Sequence, residues 1–455
     1  MQEDRRDFLK LAAAGLATAA LDPRAALAQA PAASAGPDDR VFITNEDSNT
    51  IAVIDPRTNV LDTTINLTSF NEDPRPPFRF ATGGIAPPHA AMIHKPLYHG
   101  CIDAHGCVPS PDGRYLATAG RGSSNVYLID VREKAVIGNK PNPQAGTDTT
   151  NMRLSNGVLL GREPHEPTFT RNGVELWVAL RGEDRIAILD VKRTLKYLTE
   201  GGESPIIGFL PTVNGPAQVW FDTTGETAFI ASQKESKVDV IRMDLGAGGF
   251  SRPERLSLLD ISAEDKPGFT PFLKTTPDGK EVWFSHKLAD AVSARSASHP
   301  FARLDLVPLG AMTRPNHVEF VENAKGKVVY ASLARVDDIA SGVPSSRIAI
   351  IDRSVPPGER KVIDTFFSHG REAHGLWTNP ANDLLYVAHE QDELPHTPNA
   401  GQTCCTAFDV SDPLKPKFIA QIPLGVLLLP PAGELRNKKS INLVYVRPGF
   451  RGQTG

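Results

Sequence analysis

The sequence predicts an all-β protein, a seven-bladed β-propeller of four-stranded antiparallel blades, on the basis of three observations. A strand-turn-strand phrase recurs along most of the chain, and 38 prolines and 37 glycines are spread evenly, as many short strands and turns require. The chain also begins with an incomplete copy of the phrase, whose missing strand has a match near the C-terminus. No long amphipathic helix is expected after residue 30.

The repeat is best aligned on the turn that follows its first strand. Six copies, each with an apolar strand, a turn and a second apolar strand, begin at His105, His165, Ala217, Pro271, His317 and His374. A polar turn and a third strand follow, for example residues 126–130 (VYLID), and a more variable fourth strand ends the unit. Because alternating apolar residues bounded by such turns indicate hairpins, each unit is predicted to be a four-stranded meander.

The first unit lacks its opening strand and has only strands two to four, at residues 41–45, 51–55 and 60–66. Residues 441–448 (INLVYVRP) have the first-strand pattern and place Asn442 at the position that other copies give to histidine. A C-terminal strand that completes the N-terminal blade closes the ring and removes exposed sheet edges. The prediction is therefore seven blades.

The first 28 residues resemble a twin-arginine export signal. Arg5 and Arg6 are followed by Phe-Leu-Lys, by an apolar run over residues 11–21 that is too short to span a membrane, and by a small-residue cleavage site at 26–28. We therefore expect a periplasmic protein with a disordered linker at residues 29–40. Residues 41–455 are expected to form one propeller domain.

Charge and cysteine content exclude several classes of partner and cofactor. A formal net charge of -4 favours neither nucleic acid nor an anionic membrane surface, and no membrane span is expected. No Cys-x-x-Cys-His motif is present, which excludes covalent c-type haem, and no nucleotide cofactor is expected. An even number of cysteines in an oxidising compartment favours disulfides, for which the candidates are Cys101, Cys107, Cys404 and Cys405.

The cysteine pairing has more than one solution. Cys101 can pair with Cys107, or one of these two can pair with Cys404 or Cys405, because the adjacent pair cannot bond to itself without strain.

Phrases such as VFITNEDSNTIAVIDPRTNVL and SPDGRYLATAGRGSSNVYLIDV resemble the YVTN-type β-propeller repeat. That family belongs to a wider group that includes nitrous-oxide-reductase-like and thiocyanate-dehydrogenase-like propellers. The resemblance covers essentially all of the chain after the leader and implies the fold. It implies function only weakly, because this scaffold carries enzymes, binding modules and surface-layer proteins.

One face of the predicted ring collects polar side chains. In a propeller, the first strand of each blade lines the central channel and runs antiparallel to the second strand. The start of each first strand and the end of each second strand therefore lie on the same face of the ring. The starts hold Asn442, His105, His165, Ala217, Pro271, His317 and His374, and the ends hold Glu46, Arg121, Arg181, Gln233, His286, Lys287, His389 and Glu390. Three insertions, at residues 68–104, 334–346 and 390–403, are expected to lie over this face.

Histidines at equivalent positions of a closed ring point to a shared centre, which makes them candidate metal ligands. The candidates are His105, His165, His317, His374, His286 and His389. Imidazoles without nearby thiolates favour copper or zinc, and exported relatives with copper in a propeller channel favour copper. The same histidines equally suit a structural role, such as capping the backbone of a neighbouring strand.

Charged residues near these histidines suggest catalytic and binding roles. Glu163 and Glu372, two residues before their histidines, are candidate partners that fix an imidazole tautomer, and with Glu390 they are candidate general bases. The candidate binding residues for a small anionic substrate are Arg162, Arg371, Arg121, Arg181 and Lys287. Arg162 and Arg371 equally suit salt bridges to Glu163 or Glu372.

Three functions compete. The first is a copper-dependent oxidoreductase that acts on a small anionic substrate, although the chain lacks the C-terminal cupredoxin domain that nitrous oxide reduction requires. The second is a non-enzymatic propeller that binds a ligand or a protein partner at the loop-covered face. The third, a lactonase-like or lyase-like propeller, requires a carboxylate-rich calcium site, for which Glu46, Glu163, Glu372 and Glu390 are the available residues.

Overall fold

The computed structural model of the 455-residue chain describes residues 34–67, 102–138, 140, 156–266, 268–337, 343–394, 397, 399–429, 433–437 and 439–451. Seven antiparallel sheets follow one another along these residues and form a seven-bladed β-propeller, which confirms the predicted fold class. In this part of the chain, no helix has the length and apolar character that crossing a membrane requires.

The strands of the first three blades come from the N-terminal half of the chain. Blade one contains β1 (Arg40–Asn45), β2 (Thr50–Asp55) and β3 (Val60–Asn66). Blade two contains β4 (Ala104–Pro109), β5 (Tyr115–Gly120), β6 (Asn125–Asp130), β7 (Ala135–Val136) and β8 (Val158–Leu159). Blade three contains β9 (Pro164–Phe169), β10 (Glu175–Leu180), β11 (Arg185–Asp190), a helix α1 (Val191–Glu200) and β12 (Ile206–Pro211).

The other blades follow the same order. Blade four contains β13 (Pro216–Phe221), β14 (Thr227–Ser232), β15 (Lys237–Arg242) and β16 (Glu254–Asp260). Blade five contains β17 (Leu273–Thr275), β18 (Glu281–His286), β19 (Ala291–Ser296) and β20 (Arg303–Pro308). Blade six contains β21 (Pro315–Asn323), β22 (Gly326–Asp337), β23 (Ser345–Asp352) and β24 (Val362–Phe367).

The chain ends in blade seven and then returns to blade one. Blade seven contains β25 (Arg371–Thr378), β26 (Leu384–Gln391), β27 (Cys404–Asp409) and β28 (Lys417–Pro423). A separate hairpin of β29 (Val426–Leu429) and β30 (Gly433–Arg436) precedes the last strand, β31 (Ser440–Val446). Because β31 pairs antiparallel with β1, it supplies the inner strand of blade one and closes the ring as predicted.

The residues just before β1 are packed against the last strand. Asp39 is buried, accepts a hydrogen bond from the Tyr445 hydroxyl at 2.5 Å and pairs with Arg447 at 2.8 Å. Arg447 also donates to the carbonyl of Ser34. The prediction of a disordered linker over residues 29–40 is therefore wrong for residues 34–40, because a buried carboxylate requires these partners.

Blades pack through strands that are apolar on both faces. All six residues of β10 are buried, and Trp177 meets Phe221 of the next blade edge-on at 5.4 Å between ring centroids. Burying one such side chain contributes roughly 1.5–3 kcal/mol. The outer strand β12 alternates between half-buried and exposed residues, as expected for a strand with one solvated face.

Three connections differ from the prediction. Of the segment 334–346, predicted as a loop, residues 334–337 and 345–346 extend the hairpin of β22 and β23, since Val336 pairs with Ser346, and residues 338–342 lie outside the described residues. In blade two, β7 and β8 both pair with β6 and share the outer position. The ten-residue α1 was not expected, and its N-terminus is capped by the Asp190 side chain. Of the predicted insertion at 68–104, residues 68–101 lie outside the described residues, as does His396 in the segment 390–403.

Candidate functional site

A β-bulge interrupts the inner strands at the positions where the sequence places its histidines. In blade two, Ala104 pairs with Gly120 and Cys107 pairs with Thr118, so that two residues of β4 face one residue of β5. The same extra residue occurs in β9, β21, β25 and β31. A bulge breaks the alternation of a strand and re-aims its side chains, and such bulges are frequent next to active sites.

The two residues of each bulge define a first and a second bulge position. The first positions are His105, His165, Asn316, His374 and Ile441, and the second positions are Gly106, Glu166, His317, Gly375 and Asn442. The sequence alignment assumed that His317 and Asn442 occupy the same position as the other three histidines. The structure shows that they do not. They lie one residue later, in the second bulge position, which the repeat phrase does not distinguish from the first.

Two independent features support this alignment. A residue with positive φ precedes each first position by two residues, namely Asp103, Glu163, Arg314, Glu372 and Lys439. In addition, a hydroxyl from the preceding blade donates to the carbonyl of the first position in three blades. These bonds join Thr44 to His105 at 2.5 Å, Ser285 to Asn316 at 2.6 Å and Ser332 to His374 at 2.5 Å.

The four histidines of the channel converge in two pairs. The rings of His105 and His165 lie 4.1 Å apart between centroids, and those of His317 and His374 lie 4.8 Å apart. Phe272 stacks on His317 at 3.9 Å. All four histidines line one cavity of about 120 Å³ at this end of the channel. Imidazoles from blades two, three, six and seven thus meet, as the ring geometry predicted.

Glu166 is the acidic member of this cluster, and the sequence interpretation missed it. Its carboxylate and the ring nitrogens of His105 and His165 offer three ligand atoms that all lie within 4.8 Å of one another. Strict alternation along β9 would place Glu166 on the opposite face from His165, and the bulge removes that constraint. The available signal was the adjacent pair His165-Glu166 together with the matching pair His105-Gly106 in blade two.

Burial keeps the imidazoles neutral. It lowers the pKa of His105, His165 and His317 well below the usual value, and it lowers the pKa of His374 to about 3. Burial also raises the pKa of Glu166 well above the usual value. Neutral imidazole is the form that binds a metal ion.

Three of the predicted cationic residues line the cavity. Arg121 pairs with Glu46 at 2.6 Å, and Arg181 donates to Gln233 at 2.9 Å and pairs with Glu163 at 3.3 Å. Lys287 donates to the side-chain oxygen of Asn316 at 2.6 Å, and burial lowers the pKa of its ammonium group. The cavity therefore combines neutral imidazoles with a positively charged rim.

Of the three predicted catalytic carboxylates, Glu390 lies beside an imidazole. Its Oε1 is 3.5 Å from Nε2 of His374, and burial, together with the charge of Glu372, raises the pKa of Glu390 to about 7. Glu163 instead pairs with Arg181, and Glu372 accepts a hydrogen bond from Gln391 at 2.8 Å. These contacts do not support the predicted role of Glu163 and Glu372 as partners of the histidines that follow them.

Arg162 and Arg371 are not among the residues that line the cavity. The Arg162 side chain is 72% exposed and lies near Glu183, and Arg371 donates to the carbonyl of Asp392 at 2.6 Å. Their predicted role in substrate binding is therefore not supported.

His286 and His389 are buried outside the cavity, so the structure does not bring them together with the other four histidines. Nε2 of His286 lies 2.7 Å from the Ser293 hydroxyl, and Nε2 of His389 lies 3.1 Å from that of Ser368. Both histidines stand near the ends of second strands, where side chains contact the third strand and adjoining loops rather than the channel.

We expect the buried His389 to make stability depend on pH. Burial lowers its pKa to about 3, whereas an unfolded histidine titrates near 6.5, so its contribution is complete above about pH 6.5 and is lost as the pH falls toward 3. Substitution His389→Gln should reduce the slope of unfolding free energy against pH by up to about 1.4 kcal/mol per pH unit. Urea unfolding of metal-free protein between pH 7 and pH 4 measures this slope, and parallel curves for both proteins would contradict the assignment.

The described cysteines form no disulfide. Cys107, Cys404 and Cys405 are buried free thiols, and Cys101 lies outside the described residues. Cys404 points toward His389 and Glu393, with its sulfur 3.8 Å and 3.6 Å from them, while its neighbour Cys405 faces the other side of β27. Cys107 is therefore not cross-linked to Cys404 or Cys405, and the pairings that involve Cys101 stay predictions.

A larger cavity, of about 470 Å³, lies at the opposite end of the channel among the turns that join first and second strands. Ser110, Tyr115, Arg171 and Val191 are among its lining residues. Arg171 donates to the carbonyls of Phe221 and Asp222, which positions it as a structural group. We therefore place the candidate chemistry at the histidine end.

Fold and site together define a class: a closed seven-bladed propeller with a small cavity, lined by histidines and charged residues, at one mouth of its channel. The family model described as "Lactonase, 7-bladed beta-propeller" matches residues 104–342, more than half of the chain. This protein belongs to that family. The matched region includes His105, His165, Glu166 and His317 but ends before His374.

Solved structures show the same fold at low sequence identity. A protein of unknown function from Desulfotomaculum acetoxidans DSM 771 is 9% identical, with a TM-score of 0.56 over 90% of this chain and 99% of its own. A candidate 6-phosphogluconolactonase from Bacteroides fragilis NCTC 9343 is 12% identical, with a TM-score of 0.55 over the same shares. A Lactobacillus plantarum protein is 10% identical, with a TM-score of 0.52, again over 90% and 99%. The comparison with curated proteins finds no match.

Proposed function

We propose that this protein is an exported, copper-dependent oxidoreductase that acts on a small anionic substrate at the histidine end of its channel. The observation that carries the proposal is the donor set of His105, His165 and Glu166, whose ligand atoms lie within 4.8 Å of one another. Two nitrogen donors and one oxygen donor suit a first-row transition metal. The resemblance of the repeats to nitrous-oxide-reductase-like and thiocyanate-dehydrogenase-like propellers favours copper.

The residues of this donor set fit a metal ion in other respects. Nδ1 of His105 is buried and has no hydrogen-bond partner among the described residues, and the imidazoles are neutral. The Glu166 carboxylate is buried with an amide as its hydrogen-bond partner at 3.0 Å. A buried carboxylate is costly unless a cation balances its charge, and a bound metal ion supplies that charge.

The other half of the cavity supplies the groups that bind substrate and move protons. Lys287 and Arg181 attract an anion to the mouth, and Glu390, which lies beside His374 and has a pKa of about 7, takes up or releases a proton near neutral pH. Copper, when bound, supplies one-electron chemistry. His317 packs on Phe272 and lies next to His374, so it lines the same half of the cavity as Glu390 and His374.

Lactone hydrolysis is the second candidate, and membership of the lactonase family favours it. In that case Glu390 acts through His374 to deprotonate a water molecule, and the cations of the rim bind an acidic lactone. The two candidates differ in their need for a metal.

Metal analysis of protein exported through its own leader and purified without a histidine tag separates these functions. We expect about one copper ion per chain, and loss of redox turnover after dialysis against a chelator. Lactone hydrolysis that survives the chelator in metal-free protein would establish the second candidate. Protein with neither metal nor turnover would instead be a binding propeller, and the enzymatic proposal would fail.

A further inference from the structure

The Glu166 side chain crosses from blade three over the inner strand of blade two. A Cβ added to Gly106 would lie 2.1 Å from Oε2 of Glu166 and 2.5 Å from the carbonyl oxygen of His165. Since no side chain fits in that space, the glycine in the second bulge position of blade two leaves the passage open. Glu166 thereby reaches a residue of blade one.

That residue is Asn442, in the second bulge position of the C-terminal strand β31. Its Nδ2 donates to Oε1 of Glu166 at 3.0 Å, and both side chains are buried. With Oε1 engaged in this way, Oε2 is the oxygen that remains for a metal ion beside His105 and His165.

Asn442 is itself held firmly. Its backbone N–H donates to the Thr44 hydroxyl at 3.3 Å, and β31 pairs with β1 on both sides of this point. A neutral amide orients the carboxyl group of Glu166 without placing a positive charge beside it, so no side-chain cation competes with a metal ion at this contact. Hydrogen-bond partners of this kind, outside the ligands themselves, fix the orientation of metal-binding carboxylates.

We propose that Asn442 is a positioning residue of the metal site, so that the strand which closes the ring also completes the donor set. This inference rests on the proposed metal site and adds a residue that the family match at 104–342 does not contain. It implies that the site is complete only when β31 is docked on blade one.

The test compares copper affinity in full-length variants. Asn442→Ala, and Asn442→Leu, which branches at Cγ as asparagine does but cannot donate a hydrogen bond, should each weaken Cu(II) binding about 10- to 100-fold, measured by competition titration with a chromophoric chelator. Both should also change the electron paramagnetic resonance spectrum of the bound Cu(II), which a purely structural residue would leave unaltered.

Asn45→Ala is the matched control. Asn45 is a buried asparagine of the same interface, where it accepts a hydrogen bond from the Ser440 hydroxyl at 2.6 Å, whereas the hydrogen bond to Glu166 comes from Asn442. It should lower the melting temperature and leave copper affinity within about twofold, as expected for a contact outside the ligand shell. Wild-type affinity in either folded Asn442 variant, or an equal loss in the control, overturns the inference. If the unmodified protein binds no copper, the proposed function itself fails.

Discussion

Replacing His105 and His165 together with alanine is expected to reduce bound copper from about one equivalent to a small fraction of one. The two rings are 4.1 Å apart and share the donor set with Glu166, so the double variant leaves a single carboxylate as the ligand on this side of the cavity. One carboxylate does not hold a transition-metal ion against dilution and competing buffers. Inductively coupled plasma mass spectrometry on the purified protein measures the metal content.

A second histidine substitution controls for this experiment. His369→Ala removes a half-buried imidazole that packs on Phe418 at 4.0 Å, away from the channel, and copper content should stay unchanged. Circular dichroism should show the same strand content in all three proteins. Full copper occupancy in the double variant would contradict the assignment of these histidines as ligands. His317 and His374 would then be the next candidate ligands.

The ring closure illustrates how much of the fold was visible in the sequence. Residues 441–448 were recognisable as the missing first strand because apolar alternation survives in β31, and its pairing with β1 follows from the need to cover an edge. The 34–40 segment was misjudged for a different reason. Its order depends on the contacts of Asp39 with Tyr445 and Arg447, which lie more than 400 positions away in the sequence. Such contacts cannot be predicted from the local composition of the segment.

The site was predictable only in outline. The convergence of four histidines follows from repeat symmetry. The bulges, however, create two positions per strand, with His317 and Asn442 in the second, and they bring Glu166 into the channel. A bulge changes the hydrogen-bond register between two strands. The spacing of residues in the repeat phrase does not show where that change occurs. The same limit explains why His286 and His389 were included, since an end-of-strand position does not tell which way a ring turns.

A buried ion pair between Lys274 and Glu319 is the second feature whose removal should have a large effect, in this case on stability. Nζ of Lys274 lies 2.9 Å from both carboxylate oxygens of Glu319 and 3.8 Å from the ring of Trp377. Lys274→Met is expected to lower the unfolding free energy by about 3–5 kcal/mol, because it leaves the Glu319 carboxylate buried without a counter-charge. Guanidinium unfolding at pH 8 measures this loss.

The size of the loss should depend on pH in a defined direction. Burial raises the pKa of Glu319, and removal of Lys274 takes away the charge that opposes this rise. A carboxyl group with a raised folded-state pKa loses stability as the pH increases through that value, so the variant should be closer to wild type at pH 5 than at pH 8.

The double variant Lys274→Met, Glu319→Leu separates charge from packing. It removes both ions and keeps apolar bulk between Trp220 and Trp377, whose rings are 6.2 Å apart, so its stability should return to within about 1 kcal/mol of wild type. If the double variant is as unstable as Lys274→Met, the contact of the lysine with Trp377 stabilises this end of the channel, and the ion pair does not. A loss below about 1 kcal/mol in the single variant would instead mean that water reaches Glu319 and solvates its charge.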